Sequence, residues 1–164
     1  KSLVFTLDDG YEEQVEIATN IFSEYDCPAT FYVCTGFVNG ELWFWADKIH
    51  FIVESCNTEQ LKRLVSLFPH LEFECVSKPV VASLIIEYLK TCTLDTINKT
   101  ISSGVSALDI DLPVNAPEKY RATSWSALRA IEKRGMVIGA HSYSHPILSN
   151  ESDKLSKQEQ RLKI

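Results

Sequence analysis

Leu3-Val4-Phe5-Thr6-Leu7 leads into Asp8-Asp9-Gly10, and after a helical stretch to Tyr25 the chain resumes as Ala29-Thr30-Phe31-Tyr32-Val33. The first run is short, β-prone and nearly all apolar, as expected for a strand covered on both faces. Asp8-Asp9-Gly10 is expected to stop it. Tyr11, Val15, Ala18, Ile21, Phe22 and Tyr25 recur at steps of three and four, which places them on one face of a helix. Pro28 ends the link, and Ala29 to Val33 reads as a second buried strand. Strand, helix and strand with short connections form a parallel βαβ unit, so the fold class is α/β.

The next stretch has a different character. From Glu41 to about Ala122 the pattern is helical, with no convincing strand. Leu42, Trp45, Ile49, Ile52 and Val53 form one stripe. Asn57-Thr58-Glu59-Gln60 has the form of a capping box opening a helix through Phe68. Ser77-Lys78-Pro79 opens another, with Val81, Leu84, Ile85, Tyr88 and Leu89 inward. Leu94, Ile97 and Ile101 predict a fourth, stopped near Gly104, and Leu112 to Pro117 is a loop. Residues 41–122 therefore read as a helical insertion between the second and third strands. The parallel pattern returns with Ser124 as N-cap for Trp125 to Arg134 and Gly135 as the C′ residue. Met136 to Ala140 is a third strand that runs into His141, and Asp153 to Lys163 is a polar helix.

Composition narrows the function. A length of 164 residues suits one domain, or one domain plus an insertion, and a hydrophobic content of 45% supports a real core. The net charge of -6 and the lack of any Lys/Arg-rich run argue against nucleic acid or anionic membrane as partner. A sugar polymer is compatible with that balance. No apolar run reaches the roughly 18 residues of a membrane span. No signal peptide is visible in the chain, and localisation stays open between cytoplasm and cell envelope. Five cysteines, an odd count without a C-x-x-C pair, argue against a zinc ribbon or a thioredoxin-type motif. They are expected to be buried free thiols.

Two segments carry chemistry, and both follow predicted parallel strands, where α/β folds build their sites. His141 and His145 are four apart and would point the same way from one helical turn, with Pro146 preventing its continuation. Such a pair can hold one metal ion. Alone, H-x-x-x-H is a weak signal, and a solvent-facing loop is its bland reading. Asp8-Asp9-Gly10 alone is most simply a turn. Together the segments say more. Adjacent carboxylates repel unless a cation is near. A metal held by one Asp and two His supplies that cation and leaves the second Asp as a base.

These motifs resemble those of the polysaccharide deacetylase family, the NodB-like carbohydrate esterases. Thr6-Leu7-Asp8-Asp9-Gly10 is similar to the family's T-F-D-D-G, with Leu7 in place of Phe. His141-Ser142-Tyr143-Ser144-His145-Pro146 is similar to its H-S/T-x-x-H-P. The resemblance implies that Asp9, His141 and His145 bind a divalent metal, usually zinc, and that Asp8 is the general base. It gives Ser142 a supporting role on the histidine loop. Tyr143, between the two histidines, reads equally as a residue lining the substrate groove or as a half-exposed loop aromatic. The resemblance also implies a distorted (β/α) barrel, of which this chain would hold a part, truncated on the C-terminal side before the family's acid histidine. The substrate would be an N-acetylhexosamine-containing glycan. Alternatives are a small or cyclic amide on the same fold, or a catalytically incomplete glycan-binding fragment. A homo-oligomer is one way to cover the exposed sheet edges. Trp43, Phe44 and Trp45 are expected as packing anchors rather than a sugar platform, and Arg121 as a member of a surface ion pair.

Overall fold

The computed structural model describes residues 3–71 and 77–160. Its strands are β1 (Phe5–Asp9), β2 (Ala29–Val33) and β3 (Val137–Ala140). The helices are α1 (Glu12–Glu24), α2 (Thr35–Val38), α3 (Trp45–Ser55), α4 (Thr58–Ser66), α5 (Lys78–Leu89), α6 (Leu94–Leu108), α7 (Trp125–Glu132) and α8 (Asp153–Glu159). The strands form one parallel sheet in the order β1-β2-β3. The α/β class and the βαβ opening are thus as the sequence predicts.

The chain divides into two units. The first comprises Lys1–Trp43, Asn115–His145 and Asp153–Ile164. It contains the sheet, and Val15 of α1, Phe31 and Val33 of β2, and Leu128 and Ile131 of α7 make its core. The second comprises Phe44–Val114 and Pro146–Ser152. It holds α3 to α6, packed around Ile49, Val53, Leu64, Ile85, Leu89, Ile97 and Leu108. Among the described residues of 41–122 there is no strand, only an isolated bridge from Ala122 to Tyr11.

Four expectations need correction. Asp8-Asp9 does not stop β1, because both aspartates pair with β2 and the strand ends at Asp9. The strands are not all covered on both faces. β2 is central and its Ala29, Phe31 and Val33 are buried, whereas Phe5 and Val137 on the flanking strands are exposed. A strand at the margin of a three-stranded sheet has a neighbour on one side only, which leaves its apolar side chains more open. Gly104 does not end α6, which runs on to Leu108. Glycine costs a helix only about 1 kcal/mol, and burial of Ile101 and Leu108 on either side of it outweighs that. The fourth is the histidine segment, which forms no helical turn.

Local signals fare better. Asn57 and Gln60 make the reciprocal capping box, each side chain accepting the other's backbone N–H at 2.9 Å. Ser124 Oγ accepts the N–H of Ala127. Gly135, at φ 87°, closes α7 in a Schellman arrangement, with its own N–H on the Glu132 carbonyl and that of Met136 on Ile131. Cys34 and Cys56 are buried free thiols, whereas Cys27 and Cys92 are free but only half-buried. Cys75 lies outside the described residues.

Candidate metal centre

Register brings the two motifs together. Asp9 pairs with Val33, and Val33 with Ala140, so the three strands finish level. The residues at or just beyond that line are Asp9, Cys34 and His141, and the His141 N–H donates to the Val33 carbonyl at 2.9 Å. Asp9 has φ 81°, a left-handed conformation that aspartate tolerates better than most residues. Gly10 follows at φ 92°, where a side chain would meet Val33 Cγ1 at 3.0 Å. The Asp-Asp-Gly sequence therefore serves the exit from the strand.

The segment 141–145 is not a helical turn. It is a bent loop with positive φ at Ser142 (61°) and His145 (56°). Left-handed conformations of this kind cost on the order of 1–3 kcal/mol each, so other contacts must hold them. The N–H of His145 donates to Ser142 Oγ at 3.1 Å. On one side, α2 offers the N–H of Thr35 to the Ser142 carbonyl (3.2 Å) and that of Gly36 to the Tyr143 carbonyl (3.0 Å). The Cys34 thiol donates to the same Tyr143 carbonyl at 2.8 Å. On the other side, the buried carboxylate of Glu159 accepts from the N–H of Tyr143, the N–H of Ser144 and the hydroxyl of Ser144. The Tyr143 hydroxyl donates to Glu41.

This framing brings three donor atoms together. His141 Nε2 and His145 Nε2 are 3.2 Å apart. Asp9 Oδ1 lies 3.6 Å from the first and 3.3 Å from the second. Donors at the corners of a tetrahedron about 2.05 Å from its centre are separated by roughly 3.3 Å. The three distances therefore match one face of a four-coordinate zinc-like site. Asp9 Oδ1 is shut off from solvent and makes no hydrogen bond, although a buried carboxylate oxygen ordinarily takes one. Two imidazole nitrogens facing each other and an orphaned oxygen could hold one cation between them. Among the described residues, Asp9, His141 and His145 are the group so arranged. Burial pushes the His145 imidazole below the usual histidine range, against the opposing pull of the Asp9 charge. A neutral imidazole is the form that binds a metal.

Asp8 is exposed beside this cluster, and its charge acts on His145. Tyr143 is 40% exposed, and its hydroxyl is pushed above the usual tyrosine range by its hydrogen bond to Glu41. Trp43, Phe44 and Trp45 are all buried, which suits anchors and removes them as an exposed sugar platform. Arg121 pairs on the surface with Glu12 at 2.7 Å and Glu118 at 3.3 Å. Sequence reasoning missed Glu159, Glu41 and the turn of α2. Their local spacing carries no signal, because each acts through a contact with a distant part of the chain.

The polysaccharide deacetylase family model matches residues 1–67 and 86–163, most of the chain. The chain belongs to that family. The family is one of carbohydrate deacetylases, and membership implies a hydrolase acting on amide bonds. The match takes in both motifs and much of the helical stretch, and leaves out residues 68–85. Comparison with curated proteins and with solved structures returned no match. No helix among the described residues of this deacetylase domain is long and apolar enough to cross a membrane.

Proposed function

We propose that this deacetylase holds a divalent metal, zinc, through Asp9, His141 and His145, and removes N-acetyl groups from an N-acetylhexosamine-containing polysaccharide or oligosaccharide. The observation that carries the reading is the convergence of Asp9 Oδ1 and the two Nε2 atoms at 3.2–3.6 Å, with Oδ1 lacking any hydrogen bond. Three protein ligands leave a coordination position open, as a catalytic site requires. Once bound, the metal supplies Lewis acidity to the acetyl carbonyl and acidity to water.

The chain's own residues do the rest. Asp8 is the general base: exposed beside the ligands, it takes a proton from the attacking water. Base catalysis of this kind contributes about 10²–10⁴ in rate. Tyr143, half-open on the same loop, flanks the substrate, and Ser142 holds the N–H of His145. Water adds to the acetyl carbon as its proton passes to Asp8, the sugar nitrogen takes up a proton as the carbon–nitrogen bond breaks, and acetate and the free sugar amine are released. The half-buried ligand side chains suit a polymer that lies across the strand ends rather than one that enters a closed cavity.

Acetate release from N-acetylglucosamine oligomers, with Zn²⁺ and after chelation, tests the reading. Chelator-sensitive release that Zn²⁺ restores is expected. Release from small cyclic amides but not from oligomers would move the substrate to the small-molecule class. Chelator-resistant release from oligomers would remove the metal from the mechanism.

A further inference from the structure

We propose that Glu159 is a positioning residue: it clamps the loop between the two histidine ligands so that both imidazoles face Asp9 before any metal arrives. The proposal rests on the metal-site reading above.

The geometry behind it is local and complete. Glu159 is 6% exposed, an uncommon place for a carboxylate unless its oxygens are hydrogen-bonded. Its donors come from two adjacent residues of the ligand loop. Oε2 accepts the N–H of Tyr143 at 3.1 Å and that of Ser144 at 2.8 Å. Oε1 accepts the Ser144 hydroxyl at 2.6 Å. The carbonyls of Ser142 and Tyr143 are meanwhile taken by the N–H groups of Thr35 and Gly36. The stretch between the ligands is thus gripped through its amides by α8 and through its carbonyls by α2. It contains or adjoins two residues at positive φ, Ser142 and His145, which would relax if the grip were lost. Relaxation would turn the Nε2 atoms, now 3.2 Å apart, away from a common centre. These three hydrogen bonds of Glu159 go to the loop between the ligands, so the influence on the site runs through the backbone it holds.

The chemistry of the clamp distinguishes variants. Glu159→Ala removes all three bonds. Glu159→Gln can keep both N–H bonds on its carbonyl oxygen, and its amide can donate to the Ser144 hydroxyl, which also accepts. Ser144→Ala removes one bond and leaves the carboxylate in place.

The experiment is a Co²⁺ titration of the whole chain, read by visible absorbance for affinity and coordination, beside thermal melts of the metal-free proteins. Wild type should bind Co²⁺ with a four-coordinate spectrum. Glu159→Ala should bind about 10–100-fold more weakly, the usual effect of losing a residue that orients a ligand. Glu159→Gln should stay within a few-fold of wild type. A residue that served stability alone would lower the metal-free melting temperature and leave the Co²⁺ affinity of the folded protein untouched. Affinity of Glu159→Ala within twofold of wild type would therefore overturn the proposal. If Glu159→Ala fails to fold, Ser144→Ala decides: weaker Co²⁺ binding at an unchanged melting temperature supports the clamp, and unchanged binding overturns it. Asp9→Asn separates the two readings. Wild type binding no better than Asp9→Asn would bring down the metal site and the clamp together. Wild type and Glu159→Ala binding alike, with Asp9→Asn impaired, would leave the metal site standing and the clamp refuted.

Discussion

Asp9 Oδ1 lies 3.3 Å from His145 Nε2, yet this buried oxygen makes no hydrogen bond. An unmet acceptor of that kind is costly, and the proposed cation, shared by both groups, would satisfy it. Binding to the folded state alone stabilises a protein by about 2.7 kcal/mol at a free ligand concentration 100-fold above Kd. For a chain of this size that corresponds to a rise of roughly 5–11 °C in melting temperature. Zn²⁺ should produce such a rise in wild type and almost none in Asp9→Asn. Asparagine is the right replacement because it tolerates the φ of 81° at this position. Scanning calorimetry with and without Zn²⁺ makes the comparison, and equal shifts in both proteins would remove Asp9 from the ligand set.

The neighbouring carboxylate should behave differently. Asp8 is exposed, and the proposed mechanism assigns it to the reaction rather than to the ligand set. Asp8→Asn should keep one metal per chain by elemental analysis and lose about 10²–10⁴ in kcat for acetate release. Loss of metal together with activity would mean that Asp8 is a ligand.

How far the sequence could be read follows from how local each signal is. The Asn57 capping box, the Ser124 cap and the Gly135 terminus depend on neighbours within five residues, and all three are formed. The pairing of Asp9 with the histidines was legible because each motif sits at the end of a strand, and parallel strands in register end at one level. The shape of the histidine loop was not. Spacing of four suggested a helical turn, but the loop's conformation is set by α2 and α8, and no residue between His141 and His145 announces either. Glu159 sits among Lys154, Lys157, Gln158 and Gln160 and reads as one more solvated side chain. Only the fold turns it inward. Likewise Phe5 and Val137 look like core residues until the strand order puts them at the margins.

Two glycines of opposite character test the packing. A side chain at Gly36 would stand 2.7 Å from the Tyr143 carbonyl oxygen and 2.9 Å from Leu42 Cδ2. Backbone cannot give way as a flexible side chain can, so Gly36→Ala should cost about 1–3 kcal/mol and weaken metal binding by shifting the loop. Gly104 lies within α6 and lines an apolar cavity of about 350 Å³, and among the described residues an added Cβ would meet nothing within 4 Å beyond its chain neighbours and its own helix backbone. Gly104→Ala should instead raise stability by about 0.5–1 kcal/mol through the helix and the unfolded chain. Urea denaturation of both variants checks the opposite signs, and a stable Gly36→Ala with wild-type metal affinity would refute the close approach.

The thiol of Cys34 supplies the pH-dependent prediction. It is fully buried, donates to the Tyr143 carbonyl at 2.8 Å, and is pushed up to about 11 by burial. The thiolate is the form that reacts with alkylating agents. At pH 8 in the metal-free native protein, iodoacetamide should therefore label the half-buried Cys27 and Cys92 well before Cys34, as peptide mass mapping would show. The sign for stability follows from the protonated form being the one the fold accommodates. The contribution is whole below the ordinary thiol value of 9.0 and is lost as pH rises through about 11. Cys34→Ser keeps a donor for the carbonyl but has a hydroxyl that does not ionise in this range. Its urea midpoint should fall less than that of wild type between pH 9 and 11, and parallel falls would show that Cys34 does not govern the alkaline limb.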